Sequence, residues 1–524
     1  MEQFELIAKT FQGLEEVLAQ ELTELGANDI QIGRRMVSFS GDKEMMYRAN
    51  FCLRTAVRIL KPIKHFKAAD ADDVYAAVRA IDWSQYLDLE TTFAVDSVVY
   101  SQEFRHSKFV AYKVKDAIVD YFRETTGQRP NIRITNPDIK LNMHIAEDDC
   151  TLSLDASGES LHLRGYRVAS VEAPINEVLA AGLIKLSGWK GDTDLIDPFC
   201  GSGTILVEAA LMARNIYPGV FRKAFGFEKW KDFDRELLDR IYNDDSAERE
   251  FDHKIYGYDL NLRAVEAAQA NAKSAGVADC ITVAQRDIKK FEKPENPALI
   301  ITNPPYGERI SSPDLLGLYR TIGERLKHEF SGGEAWIISY KQECFDEIGL
   351  KPSFKIPLYN GSLDCEFRKY QLFSGKLEAF RAAGGEVKTD EERSRMGEKR
   401  RFKQNRGEFN NRFADRRQDG EEEEESAEYI ILRNKHREFE RTLGRKHREE
   451  QDDRTARKSG DRDFKKDGFK KEGSRKDGFK KDFKKNDRRS FDRKDDDRPF
   501  KKGGFKKDFK RGDRRSFDRD SRKD

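Results

Sequence analysis

The spacing of apolar positions changes several times along the chain, and the changes divide it. Residues 4–9 (FELIAK) read as a short strand; Leu14, Val17, Leu18 and Leu22 then recur at helical spacing, with Gly26 placed to stop the helix. MVSFSG, at 36–41, reads as a second strand, so residues 1–43 form a small α+β unit. A unit of that size needs a neighbour to bury its apolar face.

Over 44–155 strand-like and helix-like segments alternate. FAVDSVVY (93–100) and TLSLDAS (151–157) predict strands. Between them, Val110, Val114, Ile118, Tyr121 and Phe122 put one apolar face on a helix spanning 109–127. Its other face carries Lys108, Lys113 and Lys115, with Arg105 just before it. Such cations form a solvated helix face or a surface for a polyanion.

A third rhythm fills 156–380. Strands are expected at DLIDPF (194–199), KIYGYDL (254–260), ITVAQRD (281–287), ALIITN (298–303) and EAWIISY (334–340), with helices such as RAVEAAQANAKSAG and LLGLYRTIGERLKHEF between them. Strand and helix alternating at this pitch predict a parallel, doubly wound α/β sheet. FKIPLYNGSLDCEFRKYQLF (354–373) breaks the alternation and reads as an antiparallel hairpin, two strands joined by a loop containing Asn360-Gly361. Residues 215–250 interrupt the first helix-to-strand connection and read as an inserted surface element.

From 381 to 524 aliphatic residues nearly vanish. DFKK and GFKK recur, and NDRRSFDR (486–493) returns as GDRRSFDR (512–519). Isolated phenylalanines among charges cannot assemble a core, so this composition predicts a disordered tail. Basic residues interleaved with Phe also suit an RNA-attracting arm; a solvated extension without a role is the even alternative.

Composition adds little until it is read locally. The net charge of +2 conceals a basic excess from Lys458 onward, which leaves the rest of the chain acidic. Six cysteines include no CxxC pair and eight histidines no HxH or HExxH spacing, so neither a metal site nor a disulfide framework is expected. The N-terminus has no signal-peptide pattern and no apolar run is long enough to span a bilayer, which predicts a cytoplasmic protein without a membrane partner.

The chemistry gathers at strand ends. DPFCGSGT (197–204) takes a strand through Gly201-Ser202-Gly203 into a helix. That bend lets a ligand approach bare backbone and offers unpaired N–H groups to an anion. It lacks the third glycine of the dinucleotide fingerprint and any following Walker lysine. Asp197, Asp259 and Asp287 fall at the carboxyl ends of successive expected strands, the crevice where open α/β sheets bind ligands. Carboxylates gathered there repel a pyrophosphate and suit a cationic cofactor, and S-adenosylmethionine combines a sulfonium with an adenosine.

Asn303-Pro304-Pro305-Tyr306 closes the fourth strand of that unit. The prolines stiffen the exit, which presents the Asn303 amide oxygen and the Pro304 carbonyl as two outward acceptors, while Tyr306 supplies a π-face. Two acceptors and a ring fit a planar ligand with an exocyclic NH2. Accepting both hydrogens favours a pyramidal nitrogen and points its lone pair at an incoming methyl carbon, so positioning and electrostatics would carry catalysis.

DPFCGSGT with NPPY resembles the class I methyltransferases that modify exocyclic amines of nucleobases. SGESLHLRGYR (157–167) and APINEVLAAGLIKLSGW (173–189) are similar to the THUMP-domain RNA methyltransferases of the RlmL type, over about residues 1–375. The resemblance implies a ferredoxin-like segment (1–43), an RNA-binding THUMP domain (44–155) and a Rossmann-like S-adenosylmethionine-dependent domain (156–380). It places Asp197, Phe199, Gly201, Gly203, Asp259 and Asp287 in cofactor motifs and Asn303 to Tyr306 in the catalytic motif. The implied reaction is methylation of guanine N2 in large-subunit (23S) ribosomal RNA or its assembly intermediate. Where some members carry a second methyltransferase domain, this chain carries the charged tail. A DNA adenine-N6 methyltransferase and a non-catalytic RNA-binding or ribosome-assembly factor are the competing readings. Lys108, Lys115, Arg164 and Arg167 are the candidate RNA contacts, the two arginines being as well suited to internal ion pairs; the oligomeric state is open.

Overall fold

The computed structural model describes residues 2–382 except 105, 293–295, 308–313, 374 and 376. The expectations for Arg105 and for the tail from 383 onward therefore lie outside the described residues.

Two sheets organise them. The first contains β1 (Phe4–Lys9), β2 (Asn28–Gly33), β3 (Met36–Gly41), β4 (Arg58–Lys67), β5 (Thr92–Tyr100), β6 (Asn131–Ile132), β7 (Ile139–Ala146) and β8 (Asp149–Asp155). Their order is β2-β3-β1-β4-β8-β7-β5-β6, so the N-terminal segment and the following domain share one continuous sheet through the antiparallel β1–β4 pair. The small opening unit thus finds its neighbour by strand pairing. The first helix runs from Glu15 to Leu25 and stops at Gly26, whose φ of 87° is left-handed, as expected of a glycine C-cap. Strand β2 (NDIQIG) has no expectation behind it. It is a mostly exposed edge strand with a register irregularity between Asn28 and Gln31, and its alternation is confined to Ile30 and Ile32, too short a pattern to mark a strand.

The second sheet contains β9 (Asp194–Asp197), β10 (Ile255–Asp259), β11 (Ile281–Gln285), β12 (Ala298–Thr302), β13 (Glu334–Ser339), β14 (Phe354–Asn360) and β15 (Leu363–Gln371), in the order β11-β10-β9-β12-β13-β15-β14. The first five strands run parallel and the last two form the antiparallel edge hairpin. Asn360 pairs with Leu363, so the turn is Gly361-Ser362 and excludes Asn360, which was expected in the loop. Gly361, at φ 66°, occupies the first turn position that favours glycine. Asn360 thereby remains at the end of β14, its side chain free of turn duty.

The segment 215–250 corrects its sequence reading. Its Phe225, Phe227, Trp230, Leu237 and Leu238 are buried in the same apolar cluster as Leu6, Tyr47, Phe51 and Trp83 of the N-terminal half. Phe227 stacks on Tyr47, and Lys231 donates to the carbonyls of Ser84 and Leu87 at 2.7 and 2.8 Å. The insertion is an internal staple joining the first sheet to the second half of the chain. Its aromatic cluster FGFEKW (225–230) and the Leu237-Leu238 pair are the sequence signals of this burial.

Candidate active site

The strand order reverses at β9: the chain goes outward through β10 and β11, then returns to place β12 on the other side. Ligands of open α/β sheets bind outside the carboxyl ends at such a switch point. Asp197 ends β9, Asp259 ends β10, and Asn303 follows the last residue of β12.

Asp197 is 1% exposed. Its Oδ1 accepts hydrogen bonds from the Thr302 hydroxyl at 2.6 Å and the Phe199 N–H at 3.1 Å. Burial pushes the carboxyl up to about 7, against the pull of those two hydrogen bonds, and nearby Asp259 adds to the rise. Thr302 thus ties the end of β9, where the glycine bend begins, to the strand that delivers Asn303. The sequence reading missed it, although it immediately precedes Asn303.

Asp259 accepts the Gly201 N–H at 3.1 Å and the Asn261 N–H at 2.8 Å. Gly201 (φ 53°) and Gly203 (φ 78°) both adopt left-handed backbone, with Gly203 capping the helix Thr204–Ala213. They differ in surroundings. A Cβ on Gly203 would lie 2.8 Å from that of Ala268, whereas one on Gly201 would meet only Val171 Cγ2, at 3.9 Å. Gly203 is needed for packing; the Gly201 side of the bend is open to a ligand. An open backbone beside a carboxylate that anchors the loop suits an adenosyl cofactor. Phe199 is half-buried against a separate apolar cluster behind the loop. Asp287 lies beyond β11 and caps a short turn by accepting the Lys289 N–H at 2.9 Å. It follows the carboxyl end of β11, and among the described residues its carboxylate has no hydrogen bond to the glycine bend.

Pro304 is buried and Tyr306 is 9% exposed. The Tyr306 hydroxyl donates to Asn303 Oδ1 at 2.7 Å and accepts from Asn360 Nδ2 at 2.7 Å. Its ring stands edge-on to Tyr340, with centroids 5.6 Å apart. This corrects the expected picture of an amide oxygen wholly free and a bare stacking ring. A buried phenol needs partners, and this one takes one of the amide oxygen's two acceptor positions.

The arginines are corrected as well. Arg164 is 2% exposed and donates to Glu208 at 3.4 Å, to the Leu161 carbonyl at 2.8 Å and to the Arg54 carbonyl. Arg167 donates to Glu177 at 2.9 Å, to the Ile175 carbonyl at 3.1 Å and to the Ser202 hydroxyl at 3.1 Å. Neither presents its guanidinium to a polyanion: one holds the core and the other braces the glycine bend. Asn271, which the sequence reading also missed, is 1% exposed and donates to the carbonyls of Ala169 and Ser202 while accepting the N–H groups of Val168 and Ala169. Nothing in an alanine-rich helix marks it.

Lys108 is exposed and lines a cavity of about 450 Å³ together with Lys9 and Arg58. Lys115, in contrast, pairs with Asp116 at 2.7 Å. Among the described residues no cluster of ligating side chains could hold a metal ion, and no helix is long and apolar enough to cross a membrane.

A glycine bend between two strand-end aspartates thus lies across the switch point from a proline-braced asparagine. Family models match in chain order: an RlmL ferredoxin-like domain at 5–60, a THUMP domain at 68–155 and an RMKL-like methyltransferase domain at 164–369. The chain belongs to the RlmL-type THUMP methyltransferases. Among solved structures it is similar to a possible methylase from Clostridium difficile 630, at 32% identity and a TM-score of 0.66 over 72% of this chain and 100% of that one. SMU.472, solved in complex with SAH, is 31% identical with a TM-score of 0.64 over 72% of this chain and 100% of that one. A predicted N6-adenine-specific DNA methylase from Listeria monocytogenes str. 4b F2365 is 31% identical, with a TM-score of 0.64 over 71% of this chain and 97% of that one.

Proposed function

We propose that the chain methylates an exocyclic base amine in RNA, guanine N2 in large-subunit ribosomal RNA or its assembly intermediate, in the cytoplasm. The observation that carries the reading is the coupling of Asn303 to the cofactor loop. Thr302 fixes Asp197 at 2.6 Å, and the next residue is the asparagine. S-adenosylmethionine supplies an electrophilic methyl group. Asp259 and the open face of Gly201 hold its adenosyl part, with Asp287 at the flank of the same crevice and Phe199 backing the bend. Asn303 Oδ1 keeps one acceptor position after Tyr306 has taken the other, and with the Pro304 carbonyl it receives the two amine hydrogens. That directs the nitrogen lone pair at the methyl carbon; the nitrogen–carbon bond forms as the sulfur–carbon bond breaks, and the surplus amine proton leaves to solvent.

The THUMP match at 68–155 favours RNA over DNA, and the exposed Lys108 supplies a cation for phosphate. Methyl incorporation from labelled S-adenosylmethionine is the test, using large-subunit RNA from cells lacking the gene and duplex DNA as parallel substrates. The expected product is N2-methylguanine in the RNA, lost in Asn303→Ala. N6-methyladenine in the DNA arm, or undiminished turnover by the variant, would overturn the reading.

A further inference from the structure

Asn360 comes from neither the cofactor loop nor the Asn303–Tyr306 segment. It ends β14 in the antiparallel hairpin at the sheet edge, yet its Nδ2 lies 2.7 Å from the Tyr306 hydroxyl. The Tyr306 hydroxyl in turn lies 2.7 Å from Asn303 Oδ1. The two hydrogen bonds run in one direction, from the Asn360 NH2 to the phenol oxygen and from the phenol to the Asn303 oxygen, the one end of that amide able to accept.

We infer that Asn360 is a positioning residue for methyl transfer, setting through Tyr306 which end of the Asn303 amide faces the reaction. The inference rests on the reading of Asn303 as the acceptor of the base amine. A flipped Asn303 would present NH2 to the base amine, donor against donor. The hydrogen bond from Asn360 makes the productive orientation the low-energy one before substrate arrives, which is preorganisation supplied by a residue of the hairpin. The placement of the turn at Gly361-Ser362 is what leaves the Asn360 side chain available.

Asn360→Asp tests this with almost no change in volume. A carboxylate is acceptor-only, so it would take the phenol proton and turn a phenol lone pair toward Asn303, favouring the unproductive flip. The expected result is a fall in kcat of about fiftyfold, against about fivefold for Asn360→Ala, which removes the relay without reversing it. KM for S-adenosylmethionine should stay unchanged in both, and Tyr306→Phe should abolish the difference between the Asp and Ala forms. A role in packing alone predicts the opposite order, with the isosteric Asp milder than Ala; that order, or wild-type kcat in both, would overturn the inference. Asn303→Ala, assayed alongside, separates the two levels. Turnover surviving that change sinks the catalytic reading itself, while its loss together with an indifferent Asn360 sinks only the positioning role.

Discussion

The ring of Phe227 stacks on that of Tyr47 with centroids 4.0 Å apart and an interplanar angle of 12°. One residue belongs to the insertion between β9 and β10, the other to a helix of the ferredoxin-like segment. Both are 1% exposed, so the contact is a shared core between the N-terminal half and the methyltransferase half of the chain. Phe227→Ala should therefore destabilise the whole protein, by about 3–5 kcal/mol as for other buried Phe truncations. Denaturant unfolding followed by both tryptophan fluorescence and circular dichroism would check it. Loss of one half with the other unaffected would show that the halves are not coupled here.

Arg164 and Lys108 should separate structure from RNA contact. Removing Arg164 leaves Glu208, which is 0% exposed, without its guanidinium partner. Arg164→Met is expected to cost about 3–5 kcal/mol of stability while leaving the salt dependence of RNA binding intact. Lys108→Ala should do the reverse, leaving stability unchanged and lowering the slope of log affinity against log salt by about 1. Salt titrations of both variants below their unfolding temperatures give the answer.

Asp197 should make stability depend on pH in an unusual direction. Its folded value of about 7 lies above the ordinary carboxylate value of 3.8, so folding favours the neutral form. Its contribution is complete below the unfolded value and is lost as pH rises through about 7. Asn at this position is neutral throughout, so Asp197→Asn should flatten the decline between those limits, by up to roughly 4 kcal/mol. Urea midpoints measured across that range would expose parallel curves if the idea is wrong.

The two glycines of the bend should respond differently to alanine. Gly203→Ala combines a left-handed φ of 78° with overlap at Ala268, and a loss of about 2–4 kcal/mol is expected. Gly201→Ala should cost only about 1 kcal/mol, for its φ, and should weaken S-adenosylmethionine binding out of proportion to that loss. Calorimetric affinity set against thermal stability distinguishes them.

For the tail, composition alone supports a prediction. Deleting residues 383–524 removes the Lys- and Arg-rich repeats, and the salt slope of RNA affinity should then flatten, because fewer counterions are released. An unchanged slope would remove the idea of an RNA-attracting arm.

How much of this was legible beforehand follows from the range of the interactions involved. Strands ending in Asp197, Asp259 and Asn303, and the helix behind Val110 and Val114, come from local spacing, turn glycines and stiff prolines, which act within a few residues. The hairpin was legible to within one residue. Edge strand β2 was not, because its alternation is confined to Ile30 and Ile32.

The sequence by itself determined the order of the parts and the chemistry available at each strand end, since periodicity and backbone restriction are local properties. Only the tertiary structure decided where the long-range partners lie. Asn360 reaches a tyrosine 54 positions away, Thr302 an aspartate 105 away, and Arg164 a backbone carbonyl 110 away. A side chain carries the capacity to donate or accept, but which group receives that bond depends on what folding buries beside it. That is why two arginines suited to RNA became internal braces, and why an asparagine expected in a turn reaches Tyr306.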